Sequence, residues 1–394
     1  MADWSLDQGV RHLNHGSFGA VPLVAQRAQT GLRQVMDENP CAWFTGLSER
    51  VAAARSEIAG FLHADPGLTA LVPNASAGVS VVYANIPTSR GMEIVITDHT
   101  YGAVAMGAAR LARRFDGAVR IARIPLDAGP AAATELVMAE VTDRTSLIVI
   151  DQITSATGRR MPAGAIAAAG RERGVPVLVD AAHAPGLSAE PLAGIDADFW
   201  VGNLHKFACA PRGTAALVAS GSFAQRLNPL IDSWRAPYPF PERFDHQGTL
   251  DVTGHLAAPA SFEAIEQHYG WDSARAYMKG LCDYAERIIS EAMSEATGWD
   301  ARVDVGMPVC ALRLIRLPAP LATNLDDAAD LRHHLAVTAR VETGITSWRG
   351  QGFLRLSTHV YNTPEDYEDF AERVVPLIVE LGGRAQSGER HGRR

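Results

Sequence analysis

The middle of the chain alternates between short apolar runs and alanine-rich segments. The apolar runs at 92–97, 146–151 and 175–180 have the length and β-branched content of buried strands. Alanine-rich stretches at 101–115 and 163–173 lie between them and predict helices. Strands that are apolar throughout and separated by helices are typical of a mostly parallel sheet covered on both faces. The pattern therefore predicts an α/β fold.

The pattern changes after about residue 255, where longer helices and fewer strands follow. The predicted elements are helices at 255–268, 271–297 and 325–339, and strands at 309–316 and 353–358. A final helix begins at Thr363, because Pro364 suits the first helical position and Asp366 can complete a capping box. These elements predict a smaller α+β domain.

The change of pattern also places the domain boundaries. We expect a large domain at 18–254 and a small domain formed by 1–17 and 255–384, with the proline-rich stretch 234–241 as a loop before the boundary. Residues 385–394 are polar and arginine-rich, and they predict a disordered tail.

Composition and charge narrow the functional classes. A formal net charge of −8 opposes a general nucleic-acid-binding role. No uncharged apolar run reaches the roughly 18 residues of a membrane span, and the first residues lack the features of a secretory signal, so we expect a cytoplasmic protein. The cysteines show no CxxC spacing, which favours reduced thiols over disulfides or a zinc site; they are Cys41, Cys209, Cys282 and Cys310. We expect no metal.

Three segments carry candidate chemistry. An apolar strand runs into Lys206, and a lysine is rarely buried without a task such as Schiff-base formation, although a lysine in solvent is the alternative. Two apolar strands end in Asp151 and Asp180, at the edge where open α/β sheets bind ligands. Asp180 could keep a pyridine nitrogen protonated, with His183 nearby, or could serve as a helix cap or magnesium ligand.

The third segment, residues 72–80, joins a short apolar strand to a helix start that is rich in small residues. Backbone N–H groups at such a start bind phosphate, and Ser76 adds a hydroxyl group. The segment contains no GxxxxGK[ST] pattern, so it is not a P-loop. A plain helix cap is the alternative.

These three segments, in this order and with this spacing, resemble the fold type I pyridoxal-phosphate enzymes of the aminotransferase class V group. The resemblance covers nearly the whole chain. Residues 13–19, 98–103 and 174–186 resemble more narrowly the isopenicillin N epimerase-like branch, which includes enzymes that process S-conjugated cysteines. The fold it implies is a mostly parallel central sheet with helices on both faces, plus a smaller α+β C-terminal domain.

The resemblance implies pyridoxal 5′-phosphate as the cofactor, with Lys206 holding it as a Schiff base and Asp180 at its ring nitrogen. The other implied cofactor contacts are Ser76 with the Ala75 and Ala77 amides, Asn203 and His205 at the phosphate, Tyr101 or else His99 on the ring face, and His183 with Thr154 or Ser155 at the phenol oxygen.

It also implies residues that meet the substrate and a second subunit. Asn14 and His15 would line the substrate pocket, and Arg355 would bind the α-carboxylate of an amino acid through its bidentate fork. A structural ion pair is the alternative for this arginine. Gly248 and Thr249 resemble the segment that reaches the neighbouring subunit's phosphate, which implies a homodimer, with a polar turn as the alternative.

Several reactions at the α-carbon stay open. We expect a C–S lyase (β-elimination) or a decarboxylating or deaminating enzyme for an S-substituted cysteine, in a thiol or secondary-metabolite pathway. An amino-acid epimerase is the alternative, for which Tyr101 or His15 would be the second base, and a pyridoxal-phosphate-binding protein without turnover is a third. A cysteine desulfurase is not expected, because residues 341–348, at the place of the mobile loop with the nucleophilic cysteine, contain none and Cys310 is expected inside a buried strand.

Overall fold

The computed structural model describes residues 4–387. The strands in this range are β1 (Arg11–Leu13), β2 (Thr69–Val72), β3 (Glu93–Thr97), β4 (Ala118–Ala122), β5 (Thr145–Asp151), β6 (Val177–Asp180), β7 (Phe199–Asn203), β8 (Ala215–Ala219), β9 (Leu312–Arg316), β10 (Val341–Trp348) and β11 (Gln351–Ser357). The α-helices are α1 (His15–Phe18), α2 (Leu23–Glu38), α3 (Pro40–Thr45), α4 (Leu47–Leu62), α5 (Ala75–Asn85), α6 (Gly102–Arg114), α7 (Pro130–Met138), α8 (Ala163–Glu172), α9 (Gly221–Ala224), α10 (Thr253–Tyr269), α11 (Trp271–Thr297), α12 (Leu325–Thr338), α13 (Pro364–Asp369) and α14 (Val375–Gln386).

The chain divides into two compact units. Unit 1 contains the described part of Met1–Ser5, then Ala20–Thr154 and Arg160–Trp271. Unit 2 contains Leu6–Gly19, Ser155–Arg159 and the described part of Asp272–Arg394.

Unit 1 is built on a seven-stranded sheet in the order β2-β8-β7-β6-β5-β3-β4. Strands β3 to β7 run parallel, and β8 is antiparallel to both of its neighbours. Every residue of β3, β6 and β7 is buried, as expected for strands covered on both faces. The predicted mostly parallel α/β sheet is confirmed.

Helix α5 lies against this sheet at very short range. Its start is capped by Asn74, whose side chain accepts a hydrogen bond from the Ala77 amide. Gly78 permits the approach, because a Cβ atom there would lie 2.6 Å from a methyl carbon of Val201 on β7. The small residues noted at this helix start therefore bring it close to the middle of the sheet.

Unit 2 has a four-stranded sheet in the order β1-β10-β11-β9. Strand β1 is parallel to β10, and β11 is antiparallel to both β10 and β9. Helices α11, α12 and α14 contribute to its apolar core. The capping box at Thr363 and Asp366 is present, as the sequence predicts.

Three expectations differ from the structure. The boundary expected between 254 and 255 falls inside unit 1, because α10 packs against α2 and α4 and His255 is hydrogen-bonded to the Val72 carbonyl at 3.0 Å. Residues 341–348 form β10, paired on both sides, instead of a loop. Cys310 precedes β9 and is only partly buried.

The expected tail begins inside α14, which continues to Gln386, while residues 388–394 lie outside the described part of the chain. Within residues 4–387, no helix combines the length and the apolar character that crossing a membrane requires.

Candidate active site

Two neighbouring parallel strands of unit 1 end in buried carboxyl groups. Asp151 is the last residue of β5 and is paired in register with Asp180, the last residue of β6. Strand β7 follows on the other side of β6 and leads to Lys206. The carboxyl ends of three adjacent strands therefore bring these residues to one edge of the sheet, where open α/β sheets bind ligands.

Lys206 is hydrogen-bonded to a histidine. Its Nζ lies 3.0 Å from Nε2 of His183, while Nδ1 of the same ring lies 3.3 Å from the Ile153 carbonyl oxygen. A carbonyl oxygen only accepts, so Nδ1 carries the ring proton and Nε2 accepts from the amine. The sequence predicts both side chains at one site, and the structure brings them together.

Asp180 is buried, and its Oδ1 accepts a hydrogen bond from the Ala182 amide at 3.0 Å. Burial raises its pKa, and the Ala182 hydrogen bond and the positive charge of Lys206 act in the opposite direction. The carboxylate form therefore has two stabilising partners inside unit 1.

The start of α5 offers fewer phosphate donors than the sequence predicts. The Ala75 amide donates to Oδ1 of Asn203 at 2.8 Å, and the Ala77 amide donates to Oδ1 of Asn74 at 2.9 Å. Both amides and the side-chain oxygen of Asn203 are therefore already used in hydrogen bonds within the protein. Within residues 4–387, no hydrogen bond is made by the hydroxyl group of Ser76, which is half-buried beside them.

His205 is held by a backbone carbonyl group. Its Nδ1 lies 3.1 Å from the Thr214 oxygen, and burial lowers its pKa to about 4. The ring is therefore neutral at neutral pH and presents a lone pair at Nε2. A lone pair suits a hydrogen-bond donor better than a phosphate oxygen, so the geometry does not favour the expected phosphate contact.

The two candidates for the cofactor ring face differ in exposure. The His99 ring is buried, and its Nε2 is hydrogen-bonded to the Ile124 carbonyl oxygen at 2.8 Å. Tyr101 caps α6, and 46% of it is exposed. Tyr101 therefore has the more accessible ring of the two.

The two residues expected at the phenol oxygen of a pyridine cofactor belong to different units. Thr154 is fully buried in unit 1, whereas Ser155 belongs to unit 2. The Ser155 carbonyl oxygen accepts a hydrogen bond from Nη1 of Arg355 at 2.6 Å.

Arg355 lies on β11 in unit 2, and only 4% of it is exposed. Its Nη2 donates to Oδ1 of Asn14 at 3.1 Å and to Oγ of Ser17 at 3.0 Å. Asn14 and Arg355 were predicted together from the sequence. Ser17 was missed as a site residue, although it lies in the 13–19 segment that carries the resemblance.

Three ring side chains of unit 2, those of His15, His359 and Tyr361, contact one another. Nδ1 of His15 is 3.1 Å from the Tyr361 hydroxyl oxygen. The His15 ring stacks on His359 with ring centroids 3.8 Å apart. The sequence predicts His15 but not His359, because a histidine in the irregular segment just after β11 gives no periodic signal.

Gly248 and Thr249 lie in a turn of unit 1. The Leu250 amide donates to the Gly248 carbonyl oxygen at 3.0 Å, and Gly248 has a positive φ of 83°. The Thr249 side chain is exposed.

Comparison with known proteins identifies the family. Residues 45–370 match the profile of the family described as Aminotransferase class-V. The chain belongs to the class V aminotransferase family. It is 29% identical to isopenicillin N epimerase from Streptomyces clavuligerus, over 96% of this chain and 100% of the relative. It is 28% identical to L-cysteine desulfhydrase from Arabidopsis thaliana, over 94% of this chain and 88% of the relative.

Solved structures show the same fold. A cystine C–S lyase, C-DES, in complex with cysteine persulfide matches this class V chain with a TM-score of 0.79 at 18% identity, over 93% of this chain and 98% of the other. The fold type I assignment from sequence is confirmed, and the protein is a pyridoxal-phosphate-dependent enzyme.

The donor set of unit 1 fits this cofactor. Lys206 has a primary amine that could react with its carbonyl group, and Asp180 has a buried carboxyl group that could pair with its ring nitrogen. Ser76 supplies a hydroxyl group at the start of α5, where the helix dipole favours an anion. The chemistry of these three groups matches three polar groups of pyridoxal phosphate: the carbonyl group, the ring nitrogen and the phosphate.

Proposed function

We propose that this protein is a C–S lyase that acts on an S-substituted cysteine. The observation that carries the proposal is β10, an internal strand without cysteine at the place where a desulfurase needs a mobile thiol. A relative named L-cysteine desulfhydrase and the fold neighbour named as a cystine C–S lyase support the same reaction class.

Two of the four cysteines also support elimination over sulfur transfer. Cys209 and Cys282 are buried, and burial raises the pKa of both thiols. A thiol in that state is a poor nucleophile. In an elimination, sulfur leaves with the substrate's own substituent instead of passing to either of these thiols.

The cofactor is held by residues of unit 1 in this proposal. Lys206 would bind its carbonyl carbon, Asp180 its ring nitrogen, Ser76 its phosphate, His183 its phenol oxygen and Tyr101 its ring face. When bound, pyridoxal phosphate accepts the electron pair released at the substrate α-carbon.

Proton movement falls to Lys206 and His183. Lys206, in its neutral amine form, would take the proton from the α-carbon. The His183 lone pair at Nε2, 3.0 Å from Nζ, holds the amine in position. The Ile153 carbonyl fixes the tautomer that leaves this lone pair available.

Arg355 is the residue proposed to recognise the substrate. Arg355 would bind the α-carboxylate, with Asn14 and Ser17 holding one guanidinium nitrogen and the Ser155 carbonyl the other. The fork is thus oriented before a substrate arrives, which reduces the entropy lost on binding. His15, hydrogen-bonded to Tyr361, would give a proton to the departing sulfur.

Epimerisation is a second candidate, favoured by the same His15–Tyr361 hydrogen bond. A relative is named isopenicillin N epimerase, and epimerisation needs a second acid or base besides Lys206. The hydrogen bond would let His15 pass a proton to and from Tyr361. The products distinguish this reaction from elimination.

We also propose that the enzyme works as a homodimer. An exposed apolar group lies close in sequence to the turn at Gly248 and consists of Leu230, Ile231, Trp234, Tyr238 and Leu250. Large apolar side chains exposed together are typical of an interface. Thr249 would then contact the cofactor phosphate of the second subunit.

The test is the absorption spectrum of the purified holoenzyme, recorded before and after addition of L-cystine, S-methyl-L-cysteine and unsubstituted L-amino acids. A visible Schiff-base band that Lys206→Ala lacks is the expected result, with release of pyruvate and ammonia together with a thiol from S-methyl-L-cysteine or a persulfide from L-cystine. Release of CO2 with an amine would assign decarboxylation, and inversion without thiol release would assign an epimerase. A protein that gains no band with added pyridoxal phosphate would refute the cofactor role of Lys206.

A further inference from the structure

Asp151 has no role in the contacts described above, yet it is deeply buried beside the cofactor residues. Only 2% of it is exposed, and it is paired in register with Asp180. Paired residues of neighbouring parallel strands point to the same face of a sheet. The two carboxyl groups therefore lie side by side on one face.

The two carboxyl groups differ in their partners. Asp180 accepts a hydrogen bond from the Ala182 amide, and the charge of Lys206 favours its ionised form. Oδ2 of Asp151 is shielded from solvent, and no residue in 4–387 forms a hydrogen bond with it. An ionised carboxylate would lose its hydration at this oxygen without compensation.

Among residues 4–387, the groups with the largest effects on the ionisation of Asp151 include no positive charge. On the β3 side, the Thr100 hydroxyl and the Tyr101 amide stabilise the carboxylate modestly. On α5, the Tyr83 hydroxyl donates to the Val104 carbonyl oxygen at 3.1 Å, and burial raises the pKa of this phenol, which therefore stays neutral.

The other charged groups near Asp151 either oppose its ionisation or are hydrogen-bonded to other residues. The carboxylate of Asp180 further raises the pKa of Asp151, which burial already raises well above its ordinary value. On the turn after β3, Asp98 accepts from the Ile124 amide and His99 is hydrogen-bonded to the Ile124 carbonyl. Two adjacent buried carboxyl groups cannot both ionise cheaply, so one proton remains in the pair.

We propose that Asp151 carries the proton of the Asp151–Asp180 pair, so that Asp180 stays ionised for the cofactor's ring nitrogen. Asp151 is thus a positioning residue, which acts on the cofactor through Asp180. The effect of Asp151 on the cofactor rests on the proposed role of Asp180, whereas the location of the proton on Asp151 does not depend on that role.

The location of the proton can be measured by infrared spectroscopy of the full-length holoenzyme. At pH 8, a band of a buried protonated carboxyl group should be present in the wild type and absent in Asp151→Asn. Asp245, whose pKa burial raises to about 6, is ionised at that pH and does not contribute. Asp196→Asn is the control, because its side chain is 78% exposed. Absence of the band in the wild type, or its persistence in Asp151→Asn, would overturn the proposal.

A second measurement uses the pH dependence of unfolding. Unfolded Asp151 ionises near its ordinary pKa of about 3.9, while folded Asp151 keeps its proton to higher pH. The stability contributed by this residue is thus complete below that value and is lost as pH rises toward the folded pKa. The amide introduced by Asp151→Asn cannot release a proton, so the ratio of the unfolding constants of wild type and variant should rise about tenfold per pH unit between pH 5 and 7. Parallel pH profiles would contradict the proposal.

The two proposals fail in distinguishable ways. Asp180→Asn should shift the cofactor absorption band and its pH dependence if Asp180 meets the ring nitrogen. An unchanged band in that variant would remove the role of Asp180 but leave the infrared result for Asp151 standing. If Asp151→Asn does not fold, Asp180→Asn decides the matter: persistence of the wild-type infrared band in that variant places the proton on Asp151, and loss of the band would overturn the proposal.

Discussion

At individual residues of unit 1, burial raises the pKa of acids and lowers the pKa of bases. It lowers the pKa of His205 to about 4, whereas it raises that of Asp180 and of the Cys209 thiol. Each shift favours the uncharged form, because a charge in a low-dielectric site loses its hydration. Asp180 differs from the other two in having an opposite charge nearby, that of Lys206, in addition to its hydrogen bond with the Ala182 amide.

Arg355 gives the sharpest prediction for a single residue. Arg355→Gln should lower kcat/KM for an amino-acid substrate roughly 10- to 150-fold, since hydrogen bonds to charged groups contribute about 1.5–3 kcal/mol. Arg355→Lys should recover only part of this, because lysine cannot form the bidentate fork. Steady-state kinetics should show no comparable loss for the corresponding amine without the α-carboxylate. The matched control is Arg316→Gln on β9, an exposed arginine of the same sheet. Equal losses for both substrates would argue for a structural role.

At the scale of elements, α5 connects packing to cofactor binding. Its first turn contains Ser76, and it contacts the sheet at Gly78, directly over Val201. Any displacement of the helix from the sheet also moves its N-terminus, because a helix moves as a rigid rod over this length.

Gly78→Ala should therefore affect stability and cofactor affinity together. The added methyl group would overlap Val201, and overpacking costs about 1–3 kcal/mol in the free energy of unfolding. We expect weaker binding of pyridoxal phosphate, measured by titration of the apoprotein, alongside a lower midpoint of urea unfolding. Gly60→Ala in α4 is the control, since no atom lies within 4 Å of the added carbon and alanine favours a helix by up to about 1 kcal/mol. Unchanged cofactor affinity in Gly78→Ala would show that phosphate binding does not depend on the position of this helix.

At the scale of the molecule, one buried ion pair joins distant parts of unit 1. Nη2 of Arg55 on α4 lies 2.9 Å from Oδ2 of Asp245, and the two side chains are 9% and 4% exposed. Nη1 of the same arginine donates to the Pro66 carbonyl oxygen at 3.1 Å. The pair thus fixes the chain that precedes the turn at Gly248.

Removing one partner of this pair should be costly. Arg55→Leu would leave Asp245 buried without its cation, for which we expect a loss of about 3–5 kcal/mol in the free energy of unfolding. The double variant Arg55→Leu/Asp245→Leu should recover much of it. Arg33→Leu at the exposed pair Arg33–Asp251, with side chains 50% and 38% exposed, should cost under about 1 kcal/mol. Denaturant unfolding of the wild type and these three variants checks this, and equal costs for the two single variants would contradict it.

The proposed dimer predicts complementation between inactive subunits. Lys206→Ala and Thr249→Asp should each be inactive, the second because an added carboxylate repels the phosphate. After mixing and subunit exchange, about one quarter of the sites would combine an intact Lys206 with an intact Thr249 from the other subunit. Activity should then appear, with sedimentation as a check of the dimer. If no activity returns although the subunits exchange, Thr249 acts within its own chain or not at the site.

The sequence by itself determined the strands and helices whose pattern is local. The apolar runs of β3, β5 and β6 and the capping box at Thr363 are legible because burial on both faces and helix capping act over a few residues. Motif order and spacing likewise indicated the family, the cofactor and a site at the strand ends.

Only the tertiary structure decided which polar groups are already engaged. The amides of Ala75 and Ala77 are paired with Asn203 and Asn74, and β10 becomes a strand because β1 and β11 pair with it on both sides. The proton expected at Asp151 depends on its neighbour Asp180, which lies 29 positions along the chain. Hydrogen bonding and desolvation depend on distances in space, so residue type and spacing along the chain do not determine them.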